Sequence, residues 1–111
     1  MSVTDIELKV SEEIASGADV CDTYTPANGA EVWIELFHAN AAFTTNSAVL
    51  LLWDYDTVDE VVVWSSKGSE SFNQQMQITG ADGTKKLALC CSNGEAGALI
   101  LSGFCKVKVI T

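Results

Sequence analysis

The chain has 111 residues, 48% of them hydrophobic, which suffices for one domain with its own core and argues against disorder. It carries 15 carboxylates against six lysines, no arginine, and a formal net charge of −9. That balance excludes a basic phosphate-binding surface and, with it, direct nucleic-acid binding.

The charge is unevenly spread. Residues 1–66 hold twelve acids and one lysine, whereas residues 67–111 hold five lysines and three acids. Such a chain presents either a dipolar surface that steers partners or an ordinary solvated acidic rim. No basic region followed by an apolar run opens the sequence, and its apolar run "AVLLLW" is too short to cross a bilayer. These features predict a protein made in a reducing cytoplasm, with no membrane partner and with free thiols.

In chain order, "DIELKV" alternates and puts Ile6, Leu8 and Val10 on one face. The polar "SEEIASGAD" follows, so residues 1–18 read as an N-terminal arm or an edge strand ahead of a domain at 19–111. "ADVCDTYT" is a second strand, and Asn28-Gly29 in "PANGAE" is a hairpin signal because both residues tolerate positive φ. "EVWIELFH" alternates next. Regular pleating predicts Val32, Ile34, Leu36 and His38 on one face and Glu31, Trp33, Glu35 and Phe37 on the other.

"SAVLLLWD" and "EVVVWSS" are apolar on both faces, the mark of central strands, and the acidic "DYDTVD" joins them. "SFNQQMQIT" alternates, with Phe72, Gln74, Met76 and Ile78 on one face. "ADGT" is a turn, "KKLALCCS" a strand, and Asn93-Gly94 a further turn. "ALILSGFCKVKVI" reads as one or two strands with a bulge or bend at Gly103. No window sustains a helical period. The expectation is an all-β fold, a single antiparallel β-sandwich or jelly-roll-like domain of about eight short strands.

Chemistry-bearing residues are few. Cys90 and Cys91 must point to opposite faces of a strand, so they cannot bridge each other without a distorted peptide. Leu87, Leu89 and Cys91 are placed inward, as is Cys105 in phase with Val107 and Val109. Cys90 faces a second apolar surface. The spacing of the four cysteines lacks the paired close intervals of a zinc site, and all four are expected as packed free thiols.

Asp54, Asp56, Asp59 and Glu60 in "WDYDTVDE" are candidate calcium ligands, although the glycine and distal glutamate of an EF-hand loop are missing. The alternative is an acidic connection between two apolar strands. His38 is the single histidine and reads as a strand-end residue, and no G-x-S-x-G elbow, phosphate loop or dinucleotide fingerprint occurs. No catalytic residue and no cofactor are assigned. Trp53 and Trp64 lie in the most apolar strands and read as core, whereas Trp33 lies between two glutamates on its face, suited to a protein contact or a sugar ring.

The order "YTPANGAEVWIELF", "VLLLWDYD", "VVVWSSKG", "ITGADGTKKLALCCSN" resembles small all-β virion proteins of tailed phages. In those, a tryptophan–aspartate strand end, a second tryptophan strand and a "GDGTKKL"-like turn follow in this order. The resemblance spans residues 20–95, with Ala81 inserted in the turn between Gly80 and Asp82. It implies a non-enzymatic virion component of the capsid decoration (cement) type, bound to the major capsid protein and often a trimer on the capsid exterior. A carbohydrate- or calcium-binding module of a tail or fibre is the alternative. Excess apolar surface points the same way, since a two-layer sandwich needs one apolar face per strand. Ile6, Leu8, Val10, Trp33 and Phe37 are the expected protein contacts, the first three by strand addition from the N-terminal segment.

Overall fold

A computed structural model describes all of residues 1–111 except Phe43 and Gln74, so the face expected for Gln74 lies outside the described residues. Among the described residues nine strands form, in order: β1 (Val3–Ile14), β2 (Asp19–Tyr24), β3 (Glu31–Asn40), β4 (Ser47–Trp53), β5 (Val61–Ser66), β6 (Ser69–Phe72), β7 (Met76–Ile78), β8 (Leu87–Asn93) and β9 (Leu99–Ile110). All pairings are antiparallel. One sheet runs β1-β9-β3-β6, with β7 also on β3, and the other runs β2-β8-β4-β5. The all-β sandwich expected from alternation is the observed fold. "SFNQQMQIT" gives two short strands, β6 and β7, and the C-terminal segment gives one long strand.

The turn signals sit at turns but do not make hairpins. Asn28-Gly29, Asp82-Gly83 and Asn93-Gly94 each connect strands in different sheets. A two-residue type I′ hairpin needs positive φ at both central residues, and of the first pair only Gly29 has it (φ 78°). Asp82 instead accepts from the Thr84 hydroxyl and from the backbone N–H groups of Thr84 and Lys85, and these bonds, the hydroxyl's first, hold its carboxyl below the usual carboxylate range. Among the described residues, the pair of sequence neighbours that forms a hairpin is β4–β5, through the acidic loop.

The core lies between the sheets. Leu8, Val10 and Ile14 of β1 lie beside Leu101, Cys105, Val107 and Val109 of β9 in one sheet and form a single buried cluster with Val49 and Leu51 of β4 and Leu87, Leu89 and Cys91 of β8. On β3 the register shifts between Ile34 and Leu36, so Glu35 is an extra residue. This bulge flips the inward phase: Val32 and Ile34 are buried before it, Phe37 and Ala39 after it. The expected placement of Leu36 and His38 beside Val32 and Ile34 is therefore corrected, and Phe37 becomes core. Phe37 is fully buried, its ring 5.6 Å from Trp64, which lies 4.4 Å from Phe72.

Gly103 is a point of close approach, not a bulge or bend. β9 runs past it in unbroken register with β1, and a Cβ there would lie 2.8 Å from Val49 Cγ1. A second feature fixes one end of the sandwich. Asn93 is buried, donates to the carbonyls of Ile14 and Gly97 (both 2.9 Å), and accepts from Ser47 Oγ and the Glu95 N–H. Its amide therefore satisfies backbone groups that burial would otherwise leave orphaned.

The N-terminal segment is an edge strand of its own sheet and does not leave the domain as an arm. β1 pairs with β9 from Val3↔Ile110 to Ile14↔Leu99, with Leu8 and Val10 2% and 5% exposed. Deleting residues 1–12 is therefore expected to unfold the domain. Losing two buried aliphatic side chains at about 2–5 kcal/mol each, plus the ladder, is comparable with a domain's whole stability. Loss of the β-type circular dichroism signal checks this; a folded truncated protein would contradict it. Among the described residues no helix is long and apolar enough to cross a membrane.

Candidate functional site

Two features of the surface stand out, a groove and an edge. The groove, about 270 Å³, crosses the outer face of the five-stranded sheet. The bulge at Glu35 turns His38 and Asn40 outward into it, beside Ser71 of β6 and Ser102 and Phe104 of β9. His38 Nδ1 lies 2.5 Å from Ser71 Oγ, and its ring centroid is 6.5 Å from that of Phe104. Among the described residues, Ser71 is the side chain that hydrogen-bonds the His38 ring, so no carboxylate completes a relay of the Ser-His-Asp kind. The groove offers hydroxyls, an amide, an imidazole, one aromatic ring and the charged side chains of Lys9 and Glu70.

The edge is β5. Among the described residues it pairs with β4 and with no other strand, which leaves its outer row of backbone groups without a strand partner. Val61 and Val62 are 54% and 56% exposed, and Val58 in the preceding loop is fully exposed. The expectation that "EVVVWSS" is a central strand is thus corrected: Val61 and Val62 border solvent at an edge, while Val63 and Trp64 pack against the core. "SAVLLLWD" is central as expected, and its outward Leu52 joins Ala88 and Cys90 in a small second cluster with Leu50, Tyr55 and Cys21.

The cysteines divide differently from expectation. Register places Cys21 of edge strand β2 directly opposite Cys90, with Cα atoms 4.1 Å apart, and the two form a disulfide. Cys91 and Cys105 are free and buried in the main core. Burial pushes the Cys105 thiol up to about 12 and the Cys91 thiol up to about 11, the latter helped by the Glu12 carboxylate. Both stay protonated and inert at neutral pH.

The acidic loop holds its carboxylates apart. Asp54 and Asp56 take positive φ, Glu60 accepts from the Asp56 N–H at 3.0 Å, and the Thr57 hydroxyl donates to the Asp54 carbonyl. Among the described residues, no three metal-ligating side chains converge. Millimolar calcium is therefore expected to leave the melting temperature unchanged. A native-state site would raise stability by about 2.7 kcal/mol at a hundredfold excess over its dissociation constant, so an upward shift in a thermal melt would contradict this.

Of the expected protein contacts, Leu8, Val10 and Phe37 are committed to the chain's own core and Ile6 packs partly against it. Trp33 is half-buried on the outer sheet face, opposite Lys108, which pairs with Glu35 at 3.1 Å. The exposed valines of β5 were missed because an apolar edge strand and an apolar central strand have the same local pattern. No protein-family model matches the chain, and no curated protein matches it as a relative.

Proposed function

We propose that the protein is a non-enzymatic structural subunit that works by docking against other protein subunits, as a capsid decoration protein on the major capsid protein of a phage particle. The observation that carries the docking reading is β5, an uncharged sheet edge with Val61 and Val62 more than half exposed. Exposed apolar edges are normally blunted or covered, and a partner is the usual cover. The assignment to a virion rests on the resemblance of residues 20–95 to small phage proteins.

Co-sedimentation of the purified chain with capsids that lack it tests the reading. Binding is expected, with a loss of about tenfold or more in Val62→Asp, because a carboxylate would have to be desolvated at the interface. Absence of binding by the folded wild-type protein, or full binding by the variant, would overturn it.

The groove at His38 supports a second reading, a sugar-binding module of a tail or fibre. Hydroxyls, an amide, charged side chains and one aromatic ring are groups that recognise a saccharide. Under that reading His38→Ala abolishes glycan retention on a carbohydrate array, while Val62→Asp leaves it intact.

A further inference from the structure

The four outer edges of the two sheets are not equally guarded. β1 carries Asp5, Glu7, Glu12 and Glu13, and its outward Lys9 N–H is already taken by the Asp22 carboxylate at 2.9 Å. β2 carries Asp19 and Asp22, while β6 and β7 are four and three residues long. β5 has six residues, no charge, and two exposed valines. Its charges lie only at its ends, Glu60 before it and Lys67 after it, both exposed.

That arrangement is self-complementary. We propose that β5 pairs antiparallel with β5 of a second copy of this chain across a two-fold axis, joining the two four-stranded sheets into one of eight. The register that sets Glu60 against Lys67 also sets Val61 against Ser66, Val62 against Ser65 and Val63 against Trp64. Both ends of the contact then hold an opposite-charge pair, which a two-fold interface requires of the same patch twice.

The β-bulge is what permits this register. Facing residues in an antiparallel pair must share a sheet face, and in a regular strand residues three apart do not. Here the pairing with β4 slips between Leu51↔Trp64 and Leu52↔Val62, which makes Val63 an extra residue. Val62 and Ser65 consequently oppose Leu52 and Leu50, both on the outer face, while Val61 and Ser66 oppose Trp53 and Val49 on the inner face. Same-face residues therefore meet across the proposed axis. The charged groups are available: Glu60 uses Oε1 on the Asp56 N–H, leaving Oε2, and Lys67 gives one proton to the Thr45 carbonyl at 2.9 Å, leaving two.

This inference rests on the docking reading of β5 and assigns that edge to a second copy, so the particle is met by the resulting dimer and Val62→Asp weakens capsid binding through it. A two-fold contact gives a dimer, in contrast to the trimer that the phage resemblance implies. Sedimentation velocity of the full chain tests it. A concentration-dependent dimer is expected, and single variants Glu60→Lys and Lys67→Glu, which place like charges at both ends, weaken it by about tenfold. The double variant Glu60→Lys/Lys67→Glu restores the wild-type dissociation constant. Circular dichroism confirms that each variant is folded, and Val62→Lys is the backup should either fail.

A monomer up to about 100 µM, a trimer, or a dimer indifferent to the charge reversals overturns the proposal. Co-sedimentation with capsids is read separately, so a monomer that still binds particles removes the self-pairing alone.

Discussion

Phe37→Ala is expected to cost about 3–5 kcal/mol of stability, the range for truncating a fully buried aromatic. The ring has no exposed surface and stacks at a tilt on Trp64, which in turn meets Phe72, so its removal opens a cavity where three strands meet. The position of this ring depends on the bulge at Glu35. Without the bulge, Leu36 would face the core and Phe37 would face solvent. Leu36→Ala is therefore the matched control, expected to cost distinctly less because Leu36 is only partly buried. Urea unfolding of both variants decides the order, and a larger loss for Leu36→Ala would contradict the register of β3.

Reduction of the disulfide is expected to have an effect of similar size. Cys21 and Cys90 are separated by 69 residues, and closing a loop of that length is worth about 4 kcal/mol in the chain-entropy model, against a typical range of about 2–4. The bond also pins β2, a six-residue edge strand, to β8. Denatured but unreduced protein should therefore titrate two thiols, with two further thiols appearing after reduction. Native protein should titrate none, because Cys91 and Cys105 are buried and their thiols remain protonated well above neutral pH. Four reactive thiols in the denatured, unreduced chain, with no loss of two hydrogens in the intact mass, would contradict the pairing.

What could be read from the sequence was local and periodic. The alternation of "DIELKV" grouped Ile6, Leu8 and Val10 on one face but not against this chain's own core, where Leu8 and Val10 lie, whereas the phase of "KKLALCCS" did separate inward Cys91 from outward Cys90. Trp53 was likewise read as core and is 8% exposed. What failed depended on non-local pairing. Nothing in "EVWIELFH" marks Glu35 as an extra residue, because a bulge is a property of the pair β3–β9 and not of one strand. Cys21 could not be matched to Cys90 without the register of β2 on β8.

The three glycine turns were found at the right places, but Asn28-Gly29 was read as a hairpin and instead crosses between the sheets. Short turns serve equally to cross from one sheet to the other, and only the partner strand tells the two uses apart. The same ambiguity hid β5. A strand that is apolar on both faces reads as central, whether a neighbouring strand or a neighbouring molecule covers its edge.

The claim that this sandwich is a subunit of a phage particle is tested most directly by counting its copies. If that proposal holds, particles purified from a host infected by the encoding phage can be digested and quantified by mass spectrometry against the major capsid protein. The account predicts a copy number of the same order as that of the capsid subunit. Absence from purified particles would contradict it, and a handful of copies per particle would contradict the capsid location in favour of the tail.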